Sequence, residues 1–139
     1  MILRRIIRWI NGIGHLQGFG VQSPFAYGFV SMLHKERHSL NKKDKTESIV
    51  RLIIKTYEAS GKNIQVMDIT DYDTTGQALN ALSPNTLLVL KNPYRNKSTY
   101  FRWKEIIADR RVTISFDLYH VGVVSINKGL SKHNYIVNI

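Results

Sequence analysis

Hydrophobic residues recur at helical spacing over the first sixty positions of the chain, in three separate segments. In the first segment, isoleucine and leucine stand three or four residues apart, and basic residues fill the opposite side. This pattern predicts an amphipathic basic helix of about three turns. Its basic side chains are Arg4, Arg5 and Arg8.

Two further helices are predicted before residue 62. One begins at Ser23 and Pro24, because serine caps a helix well and proline is tolerated at the first helical position. The other runs from an N-cap at Asp44 to Gly61, since glycine is the usual residue just past a helix end. Its buried stripe consists of Ile49, Val50, Ile53, Ile54 and Tyr57.

From residue 64 onward, short apolar runs alternate with helical segments. The predicted strands are Ile64–Ile69, Thr86–Lys91, Val112–Leu118, Val121–Ile126 and Tyr135–Ile139. Helices are predicted around Thr75–Leu82 and after Ser98, the second with Trp103 on its inner face. Strand–helix alternation predicts parallel crossovers. Gly129, between the last two strands, predicts an antiparallel hairpin at one edge of the sheet.

The predicted fold is a three-layer α/β arrangement, with about five mostly parallel strands, an antiparallel C-terminal hairpin and preceding N-terminal helices. A length of 139 residues indicates one domain, with a basic helical extension at 1–45 and an α/β core at 46–139. No apolar stretch is long enough to span a membrane, and arginines interrupt the N-terminal one, so a cytoplasmic location is expected. The absence of cysteine excludes disulfides and thiolate metal sites.

The formal net charge of +10 is the strongest feature of the composition. A basic surface attracts nucleic acid, anionic lipid or acidic protein, but it also serves solubility alone. An anionic partner would be held by the arginines of the first segment, Arg4, Arg5 and Arg8. The same segment would also suit packing on a neighbouring domain or a second subunit.

Two blocks of the chain resemble a group of Bacteroidetes class I S-adenosylmethionine-dependent methyltransferases. The first block is GFGVQSPFAYGFV at Gly18–Val30, which is similar to the SPF-containing stretch that opens those enzymes. The second contains TLLVLKNPY, FRWKEIIADRRV and VTISFDLYHVGVVSI, which resemble the end of the same proteins. The residues that match the closing pattern are Asp117, Leu118, Tyr119, Gly122 and Val124.

The resemblance implies a reduced Rossmann-like methyltransferase frame whose cofactor loop is altered. Where the family has a glycine-rich loop after its first strand, this chain has Asp68-Ile69-Thr70-Asp71-Tyr72-Asp73-Thr74-Thr75-Gly76. A bulky tyrosine stands where the backbone must approach the cofactor closely. Ile64–Ile69 matches either the first or the fourth strand of the family fold. If a cofactor site survives, its residues are Asp68, Asp71, Asp73 and Gly76.

The aspartates of this loop have a simpler interpretation. Oxygen ligands suit Mg²⁺ or Ca²⁺, but the spacing is not that of an EF-hand, and aspartate and threonine are common turn and N-cap residues. We favour the interpretation that these aspartates are turn and N-cap residues. The five histidines lack the spacing of a zinc site, and neither a nucleophile elbow nor a phosphate-binding loop is present.

Two other segments carry candidate chemistry. Asp117 and His120 would form an acid–base pair if a loop brought them together, although a bulge between two strands explains the segment equally well. The run from Tyr94 to Lys104 interleaves aromatic and basic residues, as single-stranded nucleic-acid sites do. Trp103, however, falls on the predicted inner face of its helix.

The sequence therefore favours a methyltransferase-like protein without catalysis, which acts as an interaction or assembly module and forms a homodimer. No catalytic residue, metal ligand or cofactor is assigned. The first alternative is a residual methyltransferase that binds S-adenosylmethionine through the loop from Asp68 to Gly76. The second is a basic protein that binds nucleic acid or a membrane surface.

Overall fold

A computed structural model of the chain describes residues 24–73, 77–130 and 132–139. The helices are α1 (Pro24–Glu36), α2 (Lys45–Glu58), α3 (Gln77–Asn80) and α4 (Lys97–Ala108). The strands are β1 (Asn63–Asp68), β2 (Thr86–Lys91), β3 (Ile114–Asp117), β4 (Val121–Ser125) and β5 (His133–Ile136). Short 3-10 turns span Arg37–Ser39 and Ile69–Asp71. The predicted N-terminal helix lies outside the described residues.

The five strands form one sheet in the order β1-β2-β4-β3-β5. β1 is parallel to β2 and β3 is parallel to β5, whereas β4 is antiparallel to both of its neighbours. The predicted α/β class and strand number are confirmed. Four of the five strands run in one direction, as a mostly parallel sheet requires, but the sheet is mixed because the reversed strand β4 lies in its centre.

The prediction that the last two strands, β4 and β5, form the C-terminal hairpin is wrong. β4 and β5 are not neighbours; the hairpin is formed by β3 and β4, which are joined by the turn Leu118–His120. All five residues of β4 are buried, which suits a central strand and not an edge strand. The segment around Gly129 instead carries the chain past β3, so that β5 pairs with β3 in parallel.

Helices cover both faces of the sheet, which confirms the three-layer arrangement. Alternate residues of β2 point to opposite faces, with Leu87 and Val89 on one face and Leu88 and Leu90 on the other. The first core cluster contains α1 and α2, and the second contains α3 and α4. None of the helices within the described ranges is both long and apolar enough to cross a membrane.

The first core cluster is built around stacked aromatic rings. The ring of Phe29 on α1 stacks on Phe116 of β3, with centroids 4.0 Å apart, and on Tyr57 of α2 at 5.6 Å. The ring of Phe25 meets that of Phe116 edge-on and is tilted against those of Phe29 and Tyr57. Burial in this cluster raises the pKa of Tyr57 to about 12, since the charged phenolate is poorly solvated there.

Helix ends follow the sequence signals in part. α4 begins with a capping box between Asn96 and Thr99, so the predicted cap at Ser98 is wrong. α2 begins after Asp44 as predicted, although the Asp44 side chain makes no capping hydrogen bond. Gly61 takes a φ of +87° just beyond α2, a conformation that glycine adopts without strain.

The second core cluster depends on a close approach between β4 and α4. Trp103 is fully buried, as predicted, and its ring lies over Gly122. A Cβ atom at Gly122 would come within 2.5 Å of the Trp103 ring. Glycine is therefore required at position 122 because the Trp103 ring leaves no space for a side chain, and not because of its backbone conformation.

Gly122→Ala is expected to lower the free energy of unfolding by about 1–3 kcal/mol, since the tryptophan must move within a packed core. Chemical denaturation monitored by tryptophan fluorescence measures this change. Gly28→Ala is the matched control: Gly28 is an exposed position of α1, and nothing lies within 4 Å of its Cβ position. That change should raise stability by about 0.5–1 kcal/mol, because alanine is the better helix former. Equal effects at the two positions would contradict the assigned packing.

Candidate functional site

Four strands end at the same edge of the sheet as the predicted ligand loop. β1, β2, β3 and β5 run in one direction and β4 in the other, so the C-terminal end of β1 lies beside the end of β2 and the β3–β4 turn. In α/β proteins this edge collects loops and ligand groups. The candidate site is therefore the group formed by Asp68, Asn92 and Arg95, with Asp117 nearby in the sheet.

Asp68 uses both of its carboxylate oxygens in contacts within the chain. The Thr70 backbone N–H and hydroxyl donate to Oδ1 at 3.0 and 2.8 Å. Asn92 Nδ2 donates to Oδ2 at 3.0 Å. Arg95 donates through two nitrogens, Nη1 to Oδ1 at 3.2 Å and Nη2 to Oδ2 at 2.6 Å. Such a two-pronged pair has the geometry that arginine and carboxylate groups favour.

These donors control the ionisation of Asp68. Partial burial alone would raise the pKa of the carboxyl group, but the hydrogen bonds from Thr70, Arg95 and Asn92 favour the charged form. The net result holds the Asp68 pKa well below its ordinary range. The Asp68 carboxylate therefore stays ionised in the folded chain, and the Arg95 guanidinium balances its charge.

Asn92 and Arg95 were not identified as site residues from the sequence. Asn92 has a φ of +64°, a left-handed conformation that asparagine tolerates better than most residues. Its backbone N–H donates to the His120 carbonyl at 2.9 Å, while its side chain reaches Asp68. The available signal was Asn92-Pro93 directly after a buried strand, which marks a turn at the site edge.

The hydrogen bonds to Asp68 come from Thr70, Asn92 and Arg95, and not from the other two aspartates of the loop. Asp71 and Asp73 are exposed, and between them Tyr72 is buried. Asp68 caps the 3-10 turn Ile69–Asp71 through the Thr70 N–H, a cap at the turn that directly follows β1 and not at the predicted helix further on. Gly76 lies outside the described residues, as do Arg4, Arg5 and Arg8.

Asp117 is a buried carboxylate, with a relative exposure of 4%. Its Oδ2 accepts hydrogen bonds from the Tyr94 hydroxyl and from Trp103 Nε1, the latter at 3.2 Å. Its Oδ1 accepts from the backbone N–H of Tyr119 at 3.0 Å. His120 follows in the tight β3–β4 turn, where its ring meets that of Tyr119 edge-on. A carboxylate with three internal donors and little contact with water suits a structural role better than acid–base chemistry.

Most of the aromatic and basic side chains from Tyr94 to Lys104 are buried or bind other groups of the chain. Tyr94 and Trp103 are buried, and Arg95 is paired with the β1 carboxylate. Arg102 donates to two carbonyls of the 3-10 turn, those of Ile69 and Thr70. Phe101 is the aromatic residue of this run that is clearly exposed, at 52%. A stacking surface for single-stranded nucleic acid is therefore not formed by these described side chains together.

No cluster of three or more metal-ligating side chains occurs within residues 24–73, 77–130 and 132–139. Asp68 would be the natural oxygen ligand at this edge, but arginine and asparagine already surround it. A cation there would be repelled by the Arg95 guanidinium. The residues present do not fit a divalent metal.

Comparison with known proteins returns no relative for this chain. No family model matches it, and neither does any curated protein or solved structure at a significant level.

The Asp68 contacts predict a specific dependence of stability on pH. A carboxyl group whose pKa is lowered by folding stabilises the folded state above its ordinary pKa of 3.8, and this contribution is lost as the pH falls below that value. Asp68→Asn should therefore cost about 1–3 kcal/mol at pH 7 and less at pH 3, where part of the contribution is lost because the unfolded chain is largely protonated while the folded carboxyl group is not. Urea denaturation at both pH values measures the difference.

Asp71→Asn is the control for this experiment. It makes the same chemical change three residues away, on an exposed side chain without a hydrogen-bond partner among the described residues. Its effect should stay within about 0.5 kcal/mol at either pH. A loss in Asp68→Asn that is the same at pH 3 and pH 7 would show that the carboxylate charge does not stabilise the fold.

Proposed function

We propose that the chain is a non-catalytic assembly module built on a methyltransferase-like frame. The observation that supports this most strongly is the occupied carboxylate of Asp68, whose oxygens accept hydrogen bonds from Arg95, Asn92 and Thr70. A cofactor hydroxyl that used Asp68 would have to displace a two-pronged arginine pair. That displacement would leave the carboxylate, which is 21% exposed, without its charged partner, whereas the guanidinium, which is 44% exposed, can return to water.

The residual methyltransferase is the first alternative to this proposal. It requires S-adenosylmethionine to be held by the loop from Asp68 to Gly76, with Asp71 and Asp73 as further contacts. Asp71 and Asp73 are exposed, and the loop carries the buried Tyr72 where the family has glycines. These features support a retained frame more than a retained cofactor site.

The second alternative is a basic protein that binds nucleic acid or a membrane surface. The net charge of +10 and the exposed Phe101 support it. The bases that flank Phe101 in the sequence weigh against it, because Arg102 is committed to backbone carbonyls and Lys104 lies over the Tyr100 ring at 5.5 Å. We therefore place assembly first.

The surface proposed for assembly is the open edge of β1. β1 has a strand partner only on its β2 side within the described sheet. Its sequence NIQVMD contains neither lysine nor proline, the residues by which exposed edge strands commonly avoid pairing. Two copies could join their β1 edges in antiparallel fashion about a two-fold axis, which is the simplest closed assembly.

Sedimentation equilibrium is expected to give about twice the 16.0 kDa mass of the chain at high micromolar concentration. Gln65→Lys should weaken the dimer at least about threefold, because two like charges would then lie close together across the two-fold axis. Gln65 is exposed in the middle of β1, so the folded chain should tolerate this change.

Gln77→Lys provides the matched control, since it introduces the same charge at an exposed position, the first residue of α3. The dissociation constant of this variant's dimer should equal that of the unmodified chain. A monomer at high concentration would contradict assembly into dimers. Equal weakening by both substitutions would show that net charge, and not the β1 edge, controls association.

A further inference from the structure

A pocket of about 590 Å³ opens at the edge of the sheet opposite to Asp68. It lies where β2 and β3 begin and β4 ends, next to α3 and the C-terminal end of α4. Small-molecule sites in proteins typically measure about 300–1,000 Å³. The size of this pocket therefore suits a small organic ligand.

The inner wall of the pocket is apolar and firmly held. Leu79 and Leu82 are buried members of the second core cluster, and Ile126 packs against that cluster. Pro84 completes the apolar lining. Because these side chains belong to the core, the wall keeps its shape when the pocket is empty.

The rim of the pocket is cationic. Arg110, Arg111 and Lys128 line it. Arg110 and Lys128 are exposed, and neither has an ion-pair or hydrogen-bond partner among the residues that the structure describes. Two of the three cations are thus free to meet an external anion.

Arg111 is fixed in place by its neighbours. Its Nε and Nη2 donate to the two oxygens of Asp109 at 3.0 and 2.6 Å, and its Nη1 donates to Asn80 Oδ1 at 2.6 Å. The hydrogen bond from Arg111 holds the pKa of Asp109 at about 2, so the pair stays charged. Asp109 therefore balances the charge of Arg111, and Arg110 and Lys128 are the other two cations of the rim.

Lys132 removes the repulsion that an anion would otherwise meet at this end of α4. The C-terminal end of a helix carries a partial negative charge from its free carbonyls. Lys132 Nζ donates to the carbonyls of Ile107, Asp109 and Val112 at 3.0, 2.9 and 2.7 Å. An anion at the rim therefore faces cations and not bare carbonyl groups.

We propose that this pocket binds a small amphipathic carboxylate. Its apolar body would lie against Leu79, Leu82 and Ile126, and its carboxylate would meet Arg110 and Lys128 at the rim. The chain itself is a poor occupant: its first segment carries three arginines, and a second copy brings a net charge of +10. Both would bring like charge to a basic rim.

Calorimetric titration of the full chain with decanoate tests this proposal. We expect saturable binding of one decanoate per chain, with amide chemical shifts that change around Thr113 and Ile126. Decan-1-ol and decyltrimethylammonium have the same chain length and should bind at least about tenfold more weakly, because they lack the negative charge. Absence of saturable decanoate binding, or equal binding of the three compounds, would overturn the proposal.

The double variant Arg110→Glu/Lys128→Glu should weaken decanoate binding at least about tenfold while the thermal unfolding midpoint changes little, since both side chains are exposed. Lys42→Glu/Lys97→Glu is the matched control. It changes the net charge by the same amount at two exposed lysines outside the pocket lining. Unchanged affinity in the control supports the rim contacts, whereas equal weakening in both variants would assign the binding to overall charge.

Discussion

The arrangement of the sheet depends on how the buried carboxylate of Asp117 is satisfied. A carboxylate taken out of water is stable only if hydrogen bonds replace its hydration. Tyr94, Trp103 and the backbone of Tyr119 supply those bonds from three different parts of the chain. The loop after β2, helix α4 and the β3–β4 turn are thereby held around one side chain.

This constraint also shapes the edge at which a ligand was expected. Because the β3–β4 turn is held by Asp117, its His120 carbonyl is placed to accept the backbone N–H of Asn92. Asn92 then presents its amide to Asp68, and Arg95 closes on the same carboxylate. At the loop where the sequence led us to expect a cofactor, Asp68 makes its interactions within the chain.

The sequence predicted the fold class because local patterns carry it. Helical stripes and apolar runs depend on neighbouring residues, so the positions of α2, α4 and all five strands were largely right, as was the burial of Trp103. Strand partners depend on distant residues, which is why the hairpin was assigned to β4 and β5 instead of β3 and β4. The valines of β4, at 121, 123 and 124, were the available clue to a central position.

The position of the site could be predicted from the sequence, but the residues that contact Asp68 could not. Asp68 was identified because it ends a strand, and its role as a cap followed from its residue type. Arg95 lies 27 positions further along the chain, and nothing local links the two. The pocket bounded by Arg110 and Lys128 is likewise formed by segments that are separate in sequence, so no motif indicated it.

The central claim is that internal contacts occupy the cofactor position at the end of β1. Calorimetric titration of the full chain with S-adenosylmethionine and with S-adenosylhomocysteine tests it most directly. The account predicts no saturable heat with either compound up to millimolar concentration. Saturable micromolar binding that is lost in Asp68→Asn, with the variant still folded, would contradict it and would identify a functioning cofactor site.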